Sequence, residues 1–373
     1  MQRRNFLGLG TLLASSSLLS LPGCGGGGSD AEIEADLMQA QADERTARAL
    51  AVSPASPKAR VIVIGGGMAG ATFAKYMRMW GNAVEVTLIE RSSVYTSNIM
   101  SSMVLTGQRT LASLNYKYDT LRTKYGVKTV FAEVRAIDPV LARVTLASGA
   151  VLTADRIVLA PGIEFDPVAG LTDPNLMPHA WKAGPQTTLL ASQLNAMPAG
   201  GTVVLTIPKA PYRCPPGPYE RACLLADWLI VLDANPDILV EKDNFMSAFL
   251  GLHGSVLEYR NNVTIDHVDG PARTLYFADG GSLKANVVKV APKVHVLGDS
   301  SATTQPKAGH IANQEAKVCA DALTRIFAGG VPDQAPVTNS ACFSTITRKR
   351  EKPRPSGRGG RAQARAASRW LGG

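Results

Sequence analysis

Along this chain the apolar positions fall into short blocks separated by turn residues, and the blocks are of two kinds. Runs too short for a helix and rich in β-branched residues occupy 61–64, 84–89, 127–134, 143–146, 151–152, 156–159, 202–207 and 294–297, and each reads as a strand. Stretches with helical character cover 71–80, 186–197, 220–229 and 313–323. Strands alternating with helices predict an α/β protein. Asp138-Pro139 and Ser148-Gly149 punctuate the short strands that follow residue 134.

The first strand runs straight into Gly65, Gly66 and Gly67, with Gly70 three residues further on. In a dinucleotide-binding fold, Gly65 permits the tight turn, Gly67 lets the backbone approach a pyrophosphate, and Gly70 lets the helix pack closely on the strand. The phosphates then sit on the free N–H groups and positive dipole end of that helix. Glu90 ends the second strand about 20 positions beyond the glycines, where the partner of a ribose hydroxyl is expected. Residues 91–107, rich in Ser and Met, read as a loop and helix start with packing and capping roles.

Two later segments narrow the ligand. The strand over 153–159 closes in Ala160-Pro161-Gly162, a pattern that resembles the end of the first part of the FAD domain in glutathione-reductase-like flavoproteins. The strand over 294–297 ends in Gly298-Asp299. In those flavoproteins such an aspartate binds the ribityl chain, so three motifs in this order imply FAD, with a bare NAD site as the rival.

Between these motifs lies a second unit whose strand, 202–207, is followed by Pro208-Lys209-Ala210-Pro211-Tyr212-Arg213-Cys214-Pro215-Pro216-Gly217-Pro218-Tyr219-Glu220-Arg221-Ala222-Cys223. A nicotinamide-binding domain places a glycine loop there. Prolines lack N–H donors and fix φ, so this turn cannot cradle a second pyrophosphate, and NADH is not expected as the electron source. The turn presents Cys214 instead. Of the five cysteines, Cys24 lies near the N-terminus, while Cys223 and Cys319 sit in helical stretches as small buried hydrophobes. Cys214 and Cys342 remain, and with no C-x-x-C pair or His and Cys cluster no structural zinc is expected.

The ten residues from Cys214 to Cys223 resemble the signature of the flavoprotein subunit of flavocytochrome c sulfide dehydrogenase. Pro306-Lys307-Ala308-Gly309-His310 with Ala312-Asn313-Gln314 is similar to that family's segment after Gly-Asp, and the similarity extends from about Ala59 to Ile346. The resemblance implies an α/β, glutathione-reductase-like tandem Rossmann-type FAD/NAD(P)-binding fold with its C-terminal domain largely missing. It implies a redox disulfide of Cys214 and Cys342 above the flavin, attacked by sulfide, with electrons passing through FAD to the haem of a cytochrome c subunit. Arg91 and Val134 join Gly65, Gly67, Gly70, Glu90, Ala160, Gly162, Gly298 and Asp299 as implied FAD-binding positions. Lys307 reads either as a stabiliser of reduced flavin or as a solvated lysine. A sulfide:quinone reductase-like enzyme and an incomplete, inactive flavoprotein remnant are the alternatives.

The chain departs from the family pattern in four places. Asn98 stands where family members carry the cysteine that links covalently to the flavin, so FAD is expected to be held non-covalently. The joint near 229 runs helix into strand with almost no connection. The joint near 291 passes from 287–292 into the strand of Asp299 without the crossover of a dozen or more residues that a parallel strand needs. Past Ile346 the family's C-terminal domain gives way to a Gly, Arg, Pro and Ala mixture, which reads as a shifted reading frame or a basic arm.

Composition adds limits. With 45% hydrophobic residues the chain can bury a core, and at 373 residues it has room for roughly two or three domains. The net charge of +9 is local: residues 348–373 hold nine Lys or Arg against one acid, leaving the body nearly neutral, so no nucleic-acid partner is expected. Arg3 and Arg4 before a Leu- and Ser-rich stretch match a twin-arginine export signal, and Leu21-Pro22-Gly23-Cys24 resembles a lipobox. The expected destination is the periplasm, with a lipid on Cys24 as the one membrane contact. The expected organisation is an export signal and tether over 1–29, a linker over 30–59, an FAD-binding domain over 60–170 and 291–330, and a second Rossmann-like domain over 171–290. A C-terminal remnant over 331–347 and a basic disordered tail over 348–373 complete it.

Overall fold

The glycine-loop strand is the middle of a parallel sheet. β1 (Ala59–Ile64) pairs on one side with β2 (Val84–Glu90) and on the other with β9 (Arg156–Leu159), and β5 (Lys128–Phe131) completes the order β5-β2-β1-β9. The computed structural model describes residues 52–226, 228–292, 294–296, 308–338, 340–346 and 366–370. Five of the six β1 positions are buried, as a strand covered on both faces requires, which is why its apolar run does not alternate. Helix α1 (Met68–Trp80) returns the chain from β1 to β2 and turns Phe73, Ala74 and Met77 into the core beneath it. Full burial of a side chain such as Phe73 or Met77 is worth roughly 1.5–3 kcal/mol.

Between β2 and β9 the chain inserts smaller pieces. β3 (Val94–Thr96) and β4 (Asn115–Lys117) form a two-stranded ribbon, with the short helices α2 (Ser102–Leu105) and α3 (Asp119–Tyr125) nearby in sequence. β6 (Val134–Asp138), β7 (Arg143–Leu146) and β8 (Val151–Thr153) form an antiparallel sheet. The single strand expected over 127–134 is therefore two. Glu90, the last residue of β2, pairs with Phe131, so the parallel ladder runs out there and the chain turns into β6.

A second sheet repeats the plan. After β10 (Ile163–Phe165) and α4 (Pro185–Asn195) come β11 (Val203–Ile207), α5 (Gly217–Leu225), β12 (Leu229–Asp233), α6 (Lys242–Ser247) and β13 (Leu257–Arg260). The antiparallel strands β14 (Ile265–Asp269), β15 (Thr274–Phe277) and β16 (Ser282–Lys284) then lead into β17 (Val287–Lys289), giving the parallel order β13-β12-β11-β17. The two four-stranded sheets thus form a tandem α/β architecture.

The short joints have different solutions. Residues 226–228 connect α5 to β12, with Trp228 exposed and at φ 63°. The joint near 291 needs no parallel crossover, because β18 (Val294–Val296) does not join the sheet of β17. It pairs antiparallel with β10, Ile163 opposite Val296 and Phe165 opposite Val294. Helix α7 (Gly309–Phe327) returns to the first sheet, where Ala316 and Ala320 share a core with α1. β19 (Ser340–Ser344) pairs antiparallel with β20 (Ala366–Trp370), so five residues of the expected tail are a strand; a backbone ladder needs no apolar side chains to close.

Candidate functional site

At the C-terminal end of β1 each glycine has its own reason. Gly65 has φ 97°, and a Cβ there would lie 2.0 Å from the Ala160 carbonyl oxygen. A Cβ on Gly70 would lie 1.8 Å from the Gly65 carbonyl oxygen, so only glycine lets α1 start this close to β1. Gly67 is different: nothing but the Tyr95 ring edge, 3.8 Å away, would face an added Cβ. Gly67 is the N-cap of α1, and the first turn of that helix carries no acidic side chain. Among the described residues no side chain caps that turn, which leaves its N–H groups and positive end for an anion such as a pyrophosphate.

Gly66 was not singled out by the sequence, yet it ties the loop together. Its N–H donates to Glu90 Oε2 at 2.6 Å, and its carbonyl accepts from the Tyr118 hydroxyl at 3.0 Å. Burial first, then the Glu90 charge, raises the Tyr118 phenol above its ordinary value, so it stays protonated as a donor. Glu90 Oε1 accepts from the backbone N–H groups of Arg91 and Ser92 at 2.8 and 3.2 Å. The carboxylate is thus fixed at the end of β2, beside the loop.

The structure brings Ala160 and Gly162 to the same end of the sheet. Ala160 N–H donates to Ile64 O at 2.7 Å, and Gly162 has φ 89° with no atom near an added Cβ. Val134 is half-buried against the cluster of Ile62, Ile64 and Ile89, and Arg91 is exposed. Asn98 spends its side-chain oxygen on the Ala183 N–H at 2.6 Å, clamping its loop to the approach to α4. The Ser residues expected to cap the following helix do not: Ser101 makes no capping bond, and Ser102 Oγ accepts from Arg221 Nε at 3.2 Å. Gly298, Asp299 and Lys307 lie outside the described residues, as do residues 1–51 with Arg3, Arg4 and Cys24.

The proline turn sits where the second sheet would hold its nucleotide loop, between β11 and α5. Cys214 is half-buried at φ 56°, its carbonyl accepts from the Gly217 N–H at 2.8 Å, and a Cβ on Gly217 would come within 3.0 Å of its Sγ. A cavity of about 20 Å³ opens beside it, lined by Ile163, Trp181, Tyr212, Cys214, Pro218 and Pro292. That holds about one water-sized molecule. Ile163 directly follows the Gly162 turn, so the cavity lies between the turns of the two halves.

The acid at the end of the second strand of this half is Asp233, fully buried. It accepts from Tyr219 and Tyr259 hydroxyls at 2.8 and 2.9 Å, and from Asn235 N and Nδ2 at 2.9 and 2.8 Å. Asn235 also holds the proline turn, donating to Pro208 O and accepting from Ala210 N. A carboxylate so occupied has little left for a ribose hydroxyl.

Behind Cys214 lies a cluster that the sequence did not reveal. Arg221 is buried on α5, with Nη1 donating to the carbonyls of His179 and Ala180 at 3.1 Å and its guanidinium 4.2 Å from the Trp181 ring centre. Lys289 Nζ stands 3.9 Å from the same ring centre. Burial, then the charges of Lys289 and Arg221, lowers His179 to about 4. Burial raises the Glu220 carboxyl, opposed by a hydrogen bond from the Thr345 backbone and by Arg221. Thr345 follows β19, so α5 brings the backbone of the Cys342 strand toward the Cys214 turn; the Cys342 side chain lies outside the described set. Glu220 and Arg221 stand within the ten-residue motif from Cys214 to Cys223. Lys289, a lone charge among Val287, Val288 and Val290, was itself a legible signal.

Comparison with known proteins places this geometry. Residues 187–292 match the family model described as the central part of the sulfide dehydrogenase [flavocytochrome c] flavoprotein chain, and residues 59–182 match that of pyridine nucleotide-disulphide oxidoreductases. Among solved structures, the sulfide:quinone oxidoreductase of the hyperthermophilic bacterium Aquifex aeolicus superposes with a TM-score of 0.65 at 18% identity, over 77% of this chain and 81% of that one. Putidaredoxin reductase in its covalent putidaredoxin complex gives 0.58 at 17% identity, over 78% and 80%. The NAD-dependent persulfide reductase of A. fulgidus gives 0.58 at 14% identity, over 77% and 62%. At these identities the structural likenesses establish the fold.

Proposed function

We infer that this chain, a flavoprotein of the sulfide dehydrogenase family and so a flavin-dependent sulfur oxidoreductase, oxidises sulfide through a disulfide of Cys214 and Cys342 and passes the electrons through FAD to a cytochrome c subunit. The observation that carries this reading is the place of Cys214. It stands where a second nucleotide loop would, beside a cavity that also reaches the turn after Gly162.

The residues present fit the pyrophosphate half of FAD, since among the described residues only the Tyr95 ring edge would approach an added Cβ on Gly67 and no side chain caps the first turn of α1. Gly65, Gly67 and Gly70 shape that cradle, and Glu90 borders it on the ribose side. The flavin supplies a two-electron acceptor. It is held non-covalently, with Asn98 fixing its loop to Ala183. Hydrosulfide attacks one sulfur of the disulfide; a new S–S bond forms, the Cys214–Cys342 bond breaks, and the electron pair leaves on the displaced thiolate. Trp181 and Tyr212 narrow the cavity so that a small substrate reaches Cys214. The twin-arginine segment at Arg3 and Arg4 would carry the folded protein to the periplasm, with Cys24 as its lipid attachment.

The test is an anaerobic visible spectrum of the purified chain. Flavin bands bleached by sulfide, with bleaching abolished in Cys214→Ser and in Cys342→Ser, support the reading; bleaching unchanged in both variants rejects the disulfide.

A further inference from the structure

Arg213, half-buried, lines the cavity beside Cys214. Successive side chains of an extended segment point to opposite faces, but Cys214 has φ 56°, and this left-handed turn brings both residues to one cavity. The rest of the wall is three prolines, Ile163, Trp181 and Tyr212. Burial above all keeps the Tyr212 phenol protonated, and its hydroxyl donates to Pro215 O and to the Tyr219 hydroxyl. Among the described residues Arg213 is thus the one charge on this wall. Behind the wall Arg221 lies against Trp181, its Nη1 spent on the carbonyls of His179 and Ala180, and adds a second positive charge. Neither nearby carboxylate lines the cavity: Asp233 accepts four hydrogen bonds among the described residues, and Glu220 is engaged by the Thr345 backbone. A space of about 20 Å³ holds about one water-sized molecule, and positive charge without an opposing carboxylate favours a small anion over a neutral molecule of that size.

We propose that Arg213 is the substrate-selecting residue of this cavity: its guanidinium draws in the hydrosulfide anion in preference to neutral hydrogen sulfide and holds it beside the Cys214 sulfur. This role rests on the sulfide-oxidising reading for its biological use, but not for its test. Charge balances through the exchange. Hydrosulfide brings one negative charge; its attack forms one S–S bond, breaks the bond between Cys214 and Cys342, and leaves one negative charge on the displaced thiolate, while the new persulfide keeps the hydrogen. The guanidinium therefore meets one negative charge before the step and one after it, and no oxidant beyond the disulfide is needed. The size of the cavity supplies the other half of the selection, since it leaves no room for a polyatomic anion such as thiosulfate.

In the fully reduced full-length protein, the rates at which iodoacetate and iodoacetamide label Cys214 are compared by peptide mass spectrometry. The two reagents have nearly the same shape, differ by one negative charge and react with the same thiolate, so the ratio of their rates cancels the ionisation of Cys214. In the folded parent that ratio is expected to stand about tenfold above its value in the urea-unfolded chain, the low end for a cleft lined by one sign of charge. It is expected to fall toward the unfolded value in about 1 M salt. Arg213→Gln is expected to lose the preference and Arg213→Lys to keep it. A folded parent with the ratio of the unfolded chain overturns the proposal without any variant. An Arg213→Gln ratio equal to the parent's overturns it as well, because the selecting charge then belongs to Arg221; should that variant fail to fold, Arg213→Met takes its place. Labelling requires neither sulfide nor flavin, so a protein that fails to bleach still reports on Arg213, and a bleaching protein with an unselective Cys214 loses only this role.

Discussion

Two glycines with similar backbone angles separate two physical effects. Gly65 and Gly162 both lie at positive φ, but only Gly65 is also pressed against a carbonyl oxygen. Gly162→Ala is expected to cost about 1–2 kcal/mol from conformation alone. Gly65→Ala adds a clash with Ala160 O, and is expected to cost several times more and to strip the flavin from the purified protein; thermal midpoint and the ratio of visible to ultraviolet absorbance measure both. His179 gives the pH signature. Its folded-state value, about 4, lies below the ordinary 6.5, so the unfolded chain binds the proton more readily. The stability it permits is intact above pH 6.5, declines as pH falls, and is lost by about pH 4. His179→Gln should flatten that part of a thermal-midpoint series. Gly65 and Gly70 were legible because a glycine's requirement is written in neighbouring residues. Tyr118 beneath Gly66 and Lys289 beside Trp181 join positions far apart in sequence, and no periodicity carries that.

At the scale of elements, β1 and β11 start alike and end differently: one runs into glycines and a helix with an open first turn, the other into a proline turn. The sequence showed that contrast, since proline's missing N–H is a local property. It did not show that Asp233 would hold the proline turn through Asn235 and Tyr219. Asp233→Ala leaves two buried tyrosine hydroxyls and an asparagine without their acceptor, and is expected to lower unfolding free energy by about 3 kcal/mol or more in urea. The same element predicts that NADH will not bleach the flavin; bleaching by NADH as fast as by sulfide would show that this half reads a nucleotide after all. The pairing direction of β18 escaped the sequence for a related reason. Its apolar run fits either direction of pairing, and only the partner, β10, settles it.

For the molecule as a whole, the alternation of strands and helices was enough to anticipate an α/β protein, because burial on both faces writes long apolar runs, whereas the tandem arrangement was implied by the family resemblance. The antiparallel contact of β10 with β18 has a consequence for how such a chain can be altered. The segment 166–293 enters and leaves the first half at facing ladder positions, Phe165 opposite Val294. Topologically the cysteine-bearing half is an insertion with its two ends side by side, about 5 Å apart at the backbone. A replacement module needs only neighbouring termini to be grafted there, and the glycine loop would keep its own register while the chemistry delivered above it is exchanged.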